Sequence, residues 1–288
     1  MTPPSAQPPW ATLNSHVGAC YPGQRAVFRG HDLHRDLSRS DWMDVFVFSI
    51  TGRRHTPEQI RLLHAIWVNT SYPDARLWNN RVAALAGSTR SSGNLALSAA
   101  LATSEAAIYG RQIDIAVADF LVRAEREQAQ GIALTDIVRQ ELRHNRSIGG
   151  YGRPVARSAA DERNAVVIGI AEQLGLAGGK YLRLAHAVEE ILLHGRWRMR
   201  MNYGAVAAAL ALDQGLNPQE YYLYMFNAFL AGMPPCYLEA LERPAQSTFS
   251  TPCSALSYHG PAKRNWSLQA DQYNTDVGRL QPNHIAHT

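Results

Sequence analysis

The sequence predicts an all-α protein, and three observations carry that expectation. Apolar residues recur at helical spacing along most of the 288 residues. Two capping boxes, Thr56-Pro57-Glu58-Gln59 and Asn217-Pro218-Gln219-Glu220, each place a proline at the first helical position. Beyond the early turns, no stretch alternates convincingly in the manner of a strand.

Residues 1–14 are proline-rich and read as a disordered arm. Residues 16–37 have the pattern of short extended segments joined by turns. Residues 41–51 are expected to be helical, with Trp42, Val45, Phe46 and Phe48 apolar and Gly52 as the stop. The helix opened by Thr56 carries Ile60, Leu63, Ile66 and Trp67 on one face. Residues 81–107 are dense in alanine, glycine and serine, and small side chains let helix axes approach closely. Two packed helices broken near Ser92-Gly93 follow from this, serving either a subunit interface or a simple buried hairpin. Further helices are expected near 112–129 and 133–144, then over 159–174, 180–194 and 202–212. The helix opened at Asn217 is rich in core-type aromatics such as Tyr221, Tyr222, Tyr224, Phe226 and Phe229. It should break at Gly232-Met233-Pro234-Pro235, ahead of a short helix in YLEALERP, and the last forty residues look loop-like.

Composition narrows the function classes. A hydrophobic fraction of 46% and a charged fraction of 18% are those of an ordinary soluble globular chain. The net charge is only +4 and the arginines are scattered, so nucleic acid is not an expected partner. No apolar run approaches the roughly 20 residues of a membrane span, so no membrane partner is expected either. The opening MTPPSAQPPW lacks the basic and apolar parts of a signal peptide. Cys20, Cys236 and Cys253 are odd in number and far apart, which argues for reduced thiols in the cytoplasm. Cys236 has no activating neighbour in the sequence and reads as a packed thiol. Neither CxxC nor HExxH occurs, and the histidines show no ligand spacing, so no protein-bound metal is expected.

The segment SIGGYGRPVARSAADER, residues 147–163, is the functional candidate. Gly149, Gly150 and Gly152 surround Tyr151, and Arg153, Arg157 and Arg163 follow. Glycines let backbone N–H groups approach a ligand, and arginines offer forks to carboxylate or phosphate. The plainer reading is a surface turn with solvated arginines.

The order of motifs resembles the citrate synthase superfamily, in length its short citryl-CoA lyase-like members. YPGQRAVFRGHDLHRDL resembles the family's opening segment, and WMDVFVFSITGRRHTPEQIRLL its "evlyLLltGrlPt-eq" helix pair. IGGYGRPVARSAADER resembles the GxGH loop followed by Asp-Pro-Arg, and AVAAALALDQGL the "D-G-x-x-A-x-L-x-x-x-G" helix. MPPCYLEALERP resembles "G-x-x-A-H-x-x-E", and YHGPAKR the closing "Y-x-G-p-x-R". The resemblance implies an all-α fold with a large helical domain (15–152 and 244–288), a smaller one (153–243), and a homodimer.

It also implies site residues. The family removes a proton from an acyl-CoA with an aspartate, and uses two histidines to stabilise the enol and polarise a 2-oxo acid. Here the enol histidine falls on Tyr109, the carbonyl histidine on Arg153, and the aspartate on Tyr203 or, with a longer loop, Arg200. The late arginine is replaced by Phe229 or Leu230, whereas Arg157 and Arg163 keep their expected positions as substrate-binding residues. Gly150, Gly152, His259 and Arg264 complete the expected binding set.

Tyrosine is a poor base at neutral pH and arginine is none, so the step that makes the nucleophile is lost at the family's position. Tyr109, Arg153 and Tyr203 are all donors, however, and donors can hold an enolate or oxyanion. The expectation is an enzyme of carbon–carbon or carboxyl chemistry on a small anionic acid or acyl thioester, in a specialised biosynthetic pathway. Decarboxylation, decarboxylative condensation and retro-aldol cleavage all fit. No tightly bound cofactor is expected, and a coenzyme A thioester enters only as substrate. A catalytically inactive ligand-binding or scaffold protein is the competing reading.

Overall fold

Three short strands near the N-terminus, β1 (Gly18–Tyr21), β2 (Arg25–Phe28) and β3 (His31–Asp32), form an antiparallel sheet in that order. Among the described residues the remaining regular structure is helical, and the protein is all-α. The computed structural model describes residues 14–107, 110–152, 160–247 and 252–263. The chain divides into two units, Met1–Thr248 and Phe249–Thr288. In the second, the described stretch holds one 3-10 turn, Cys253–Ala255. The proline-rich arm falls outside the described residues except for Asn14.

Arg29 sits in a left-handed turn after β2 (φ 46°). It donates Nε and Nη2 to the Ser49 carbonyl at 3.1 and 2.9 Å. That bond fastens the sheet to the last turn of α1 (Trp42–Thr51), where carbonyls lack helical partners. The buried residues of α1 are Met43, Val47 and Phe48, which corrects the expected face of Trp42, Val45 and Phe46. Met43 and Val47 lie one turn apart toward the core, and Trp42 is rotated about 100° away from Met43. Trp42 instead stacks on Phe46 outside the core, with ring centroids 6.3 Å apart.

The capping box of α2 (Pro57–Thr70) forms as expected. The Thr56 hydroxyl accepts from the Gln59 amide at 3.3 Å, and the Gln59 side chain accepts from the Thr56 amide at 2.8 Å. Next come α3 (Trp78–Ser88) and α4 (Gly93–Thr103), which is capped by Ser92. Both pack on α11 (Met233–Glu242), around Ala83, Ala100 and Met233. A Cβ on Gly87 would lie 2.5 Å from the Tyr237 carbonyl oxygen, so the close approach requires glycine. Within this chain, the small residues of the alanine-rich pair thus serve packing against α11.

The main core gathers around α9 (Tyr203–Asp213), whose residues from Ala205 to Leu212 are all buried. A helix apolar on every side must be surrounded. Its neighbours are α5 (Arg111–Ala129), α7 (Glu162–Gln173), α8 (Lys180–His194) and α10 (Pro218–Tyr224). α6 (Leu134–Asn145) packs behind α5 and α8. Asp213, ending α9, accepts from the Tyr181 and Leu182 amides at 2.9 and 3.0 Å and so caps α8 from outside.

The aromatic helix stops earlier than its composition suggests. α10 ends at Tyr224, two 3-10 turns follow, and α11 already begins at Met233. Pro234 and Pro235 are tolerated there because first-turn N–H groups have no helical acceptor. Cys236 is buried, and burial pushes its thiol up, as suits a packed side chain. No described helix is long and apolar enough to cross a membrane.

Candidate active site

The glycine loop lies against the segment that opens α9. Gly152 donates its amide to the Arg200 carbonyl at 2.7 Å, and Asn202 donates its amide to Gly150 at 2.9 Å. Asn202 Nδ2 donates to the Gly152 carbonyl (2.9 Å), and its side-chain oxygen caps α9 at the Gly204 amide (2.9 Å). Gly150 and Gly152 are left-handed, at φ 82° and 86°. A Cβ on Gly150 would stand 2.7 Å from Ala205 Cβ and 2.8 Å from Val117 Cγ2, so the loop threads between α5 and α9. These glycines thus set a backbone path, and the Gly152 N–H is used by the protein itself.

Asp161 opens α7 from a fully buried position. It accepts from Arg163 Nε and Nη2, both at 2.8 Å, and from the Tyr203 amide at 3.0 Å. Burial pushes this carboxyl up, but the bonds from Arg163 and Tyr203 outweigh it and hold Asp161 below its ordinary value. The Arg163 guanidinium lies over the Tyr203 ring (4.4 Å) and near the Tyr72 ring (5.2 Å), with 22% of the side chain exposed. Tyr203 is only 3% exposed, and its hydroxyl donates to the Ile66 carbonyl at 2.8 Å. Burial raises its pKa, so it stays protonated.

Of the residues expected from sequence, the structure gathers Gly150, Gly152, Arg163 and Tyr203. A donor role for Tyr203 toward a substrate would require exchanging its bond to Ile66. Arg200, the alternative position, has an exposed side chain. Tyr109, Arg153, Arg157 and Arg264 lie outside the described residues. His259 is exposed and belongs to the second unit.

Sequence reasoning missed Arg111 and Asp114, in the first turn of α5. Arg111 is 1% exposed and Asp114 8%. The guanidinium donates Nη2 to the Tyr222 carbonyl and lies 4.5 Å from the Tyr222 ring and 5.1 Å from the Phe226 ring. Glu105 is 3.9 Å from its Nε. Four buried atoms here make no hydrogen bond among the described residues: Arg111 Nε and Nη1, Asp114 Oδ2 and the Tyr221 hydroxyl oxygen. Burial raises Asp114 to about 7 against the pull of Arg111 and Arg163. The signal was in the sequence, because positions 111 and 114 continue the apolar stripe of Val117, Ala118, Leu121 and Ala124.

Fold and site together define an all-α protein in which a glycine loop and an Asp-Xaa-Arg helix cap meet the start of a buried alanine-rich helix. The family model "Citrate synthase, C-terminal domain" matches residues 11–232, about three quarters of the sequence, and the chain belongs to that family. Citryl-CoA lyase from Hydrogenobacter thermophilus has a similar structure, at TM-score 0.76 and 18% identity, over 88% of this chain and 97% of that one. ATP citrate lyase from Methanothrix soehngenii, solved with citrate and coenzyme A, gives 0.70 and 16%; 88% of this chain matches 42% of that one. Citrate synthase from Thermoplasma acidophilum, in a ternary complex with carboxymethyl coenzyme A and oxaloacetate, gives 0.59 and 19% over 79% of this chain and 59% of that one. At such identities the likeness is one of fold. No protein of curated function matches the sequence.

Proposed function

We propose that the chain is an enzyme of carbon–carbon or carboxyl chemistry on a small anionic acid or its acyl thioester, with coenzyme A carried by the substrate. One observation carries this reading: the glycine loop is bonded to residues 200–202. In the sequence Arg153 directly follows Gly152, whose amide is bonded to the Arg200 carbonyl. The likeness in fold and length to a citryl-CoA lyase supports cleavage of a carbon–carbon bond as the reaction type.

In this reading Arg163, held by Asp161 and the Tyr203 ring, takes a substrate carboxylate, with Arg157 as a second cation. Tyr109 and Arg153 donate to the oxygen on which charge develops, the position where preorganised donors count most. Loss of CO2 or cleavage of a β-hydroxy acid leaves the electron pair as an enolate, so the family's aspartate is not needed to make it. Tyr203 becomes a third donor only by leaving Ile66. We place the enzyme in the cytoplasm, in a specialised biosynthetic route.

The test is turnover of citryl-CoA and of malonyl-CoA, followed by mass spectrometry of the acyl-CoA products. Wild-type turnover is expected on one of them, falling about 10²–10³-fold in Tyr109→Phe. No turnover on either, with Tyr109→Phe indistinguishable from wild type in citrate binding, would favour the scaffold reading. The internal use of the Tyr203 hydroxyl and the Gly152 amide is the observation on that side.

A further inference from the structure

We propose that Tyr72 sets the anion specificity of the pocket at Arg163: with Tyr203 it walls the guanidinium so that a planar carboxylate fits the open edge and a tetrahedral oxyanion does not. The proposal rests on the reading that Arg163 takes a substrate carboxylate, and adds the residue that decides which anions can do so. All the groups it uses, Tyr72, Asp161, Glu162, Arg163 and Tyr203, lie among the described residues.

A guanidinium carries its N–H donors in one plane, as a fork with two usable edges. Asp161 takes the edge formed by Nε and Nη2, at 2.8 Å each. The other edge, Nη1 with the second N–H of Nη2, donates to nothing among the described residues. It is not sealed, since 22% of the side chain is exposed. The guanidinium carbon lies 4.4 Å from the centre of the Tyr203 ring and 5.2 Å from that of Tyr72. Aromatic rings from two elements thus flank the cation and leave its in-plane edge for a ligand. An arginine–carboxylate pair is coplanar, with two parallel N–H···O bonds. A sulfate or phosphate on the same edge must put two oxygens out of that plane, toward the rings.

Tyr72 is held at both ends. It lies in the connection between α2 and α3, where Asn80 Nδ2 donates to its carbonyl at 2.6 Å. A Cβ on Gly232 would stand 2.4 Å from that carbonyl oxygen, so the turn before α11 presses directly on the Tyr72 backbone. At the far end the phenol donates to Glu162 Oε1 at 3.2 Å, one residue before Arg163 on α7. A side chain fixed by α3, α7 and the approach to α11 is a preorganised wall, and its 38% exposure puts it at the mouth of the slot.

The test compares malonate with inorganic sulfate, which carry the same charge near pH 7 and differ in shape. Binding is measured by calorimetry and by the Arg163 Nε–H signal of 15N-arginine-labelled protein, assigned through Arg163→Lys. We expect malonate to shift that signal and to bind at least about tenfold more tightly than sulfate. Tyr72→Leu and Tyr72→Ala should cut that preference by about fivefold or more, while Tyr72→Phe, which keeps the ring, should hold it within about twofold. A residue that only braced the fold would lower both affinities together and leave the ratio alone. The proposal is overturned if wild type binds sulfate as tightly as malonate, if malonate leaves the Arg163 signal unmoved, or if Tyr72→Leu keeps the wild-type ratio. The first two outcomes need no variant, so a misfolded substitution does not shelter the idea. Turnover of citryl-CoA and malonyl-CoA is scored apart. Its absence sinks the reaction reading alone, and an unchanged anion ratio in a Tyr72→Leu enzyme that still turns over sinks the slot alone.

Discussion

Asp161 joins three elements through one carboxylate: it caps α7, anchors Arg163 and accepts the first amide of α9. Replacing it with alanine leaves a partly solvated guanidinium and two amides without their acceptor. A buried pair broken on one side loses about 3–5 kcal/mol, and the 22% exposure of Arg163 reduces that. Urea denaturation of Asp161→Ala should therefore show a loss of roughly 2–3 kcal/mol. Asp114 gives a prediction of opposite character. Its proton is held more tightly in the folded chain, so between about pH 4 and 7 the native state carries the extra proton. Stability then falls as pH rises through that window, by up to about 1.4 kcal/mol per pH unit from this group. Urea midpoints of Asp114→Asn should lack that slope, and parallel wild-type and variant curves would contradict it.

At the scale of elements, the glycine loop depends on the helices that pass it. Gly150 is left-handed and has Ala205 and Val117 where a side chain would go. Gly150→Ala should cost about 2 kcal/mol or more, from the backbone region and from overpacking between α5 and α9. Thermal unfolding monitored by circular dichroism will show it as a lowered Tm; an unchanged Tm would mean that the two helices can part freely. The helix ends were legible because caps are local: Thr56, Ser92 and Asn217 act within three residues of themselves. The end of α10 was not legible, since the switch to 3-10 turns after Tyr224 is set by packing on α5 and α1. Likewise Trp42 reads as apolar in any window, and only the direction of the core decides that Met43 is inside instead.

For the whole molecule, we predict a homodimer, which light scattering at micromolar concentration checks directly; a monomer would be the contrary result. Ordinary citrate synthase activity is expected to stay below about 1 per second, on the proposed register that puts Tyr203 at the family's base and Tyr109 at its enol histidine. Thiol release from acetyl-CoA with oxaloacetate measures it, and faster turnover would mean that the substitutions were placed in the wrong register. Motif order made the family legible, because glycine turns, caps and an alanine-rich helix each leave a local pattern in the sequence. The cluster at Arg111 and Asp114 was less legible. A charge on an apolar stripe signals burial, but not what it faces.

The sequence by itself determined the all-α class, most helix starts and the family, since each follows from local periodicity, capping chemistry or motif order. Only the tertiary structure decided how polar atoms far apart in the chain are shared. The Tyr203 hydroxyl goes to Ile66, the Gly152 amide to Arg200, and the Asp161 carboxylate to both Arg163 and Tyr203. Asp114 keeps its proton for the same reason: burial sets its chemistry, and burial belongs to the packing of α5 against α9 and α10.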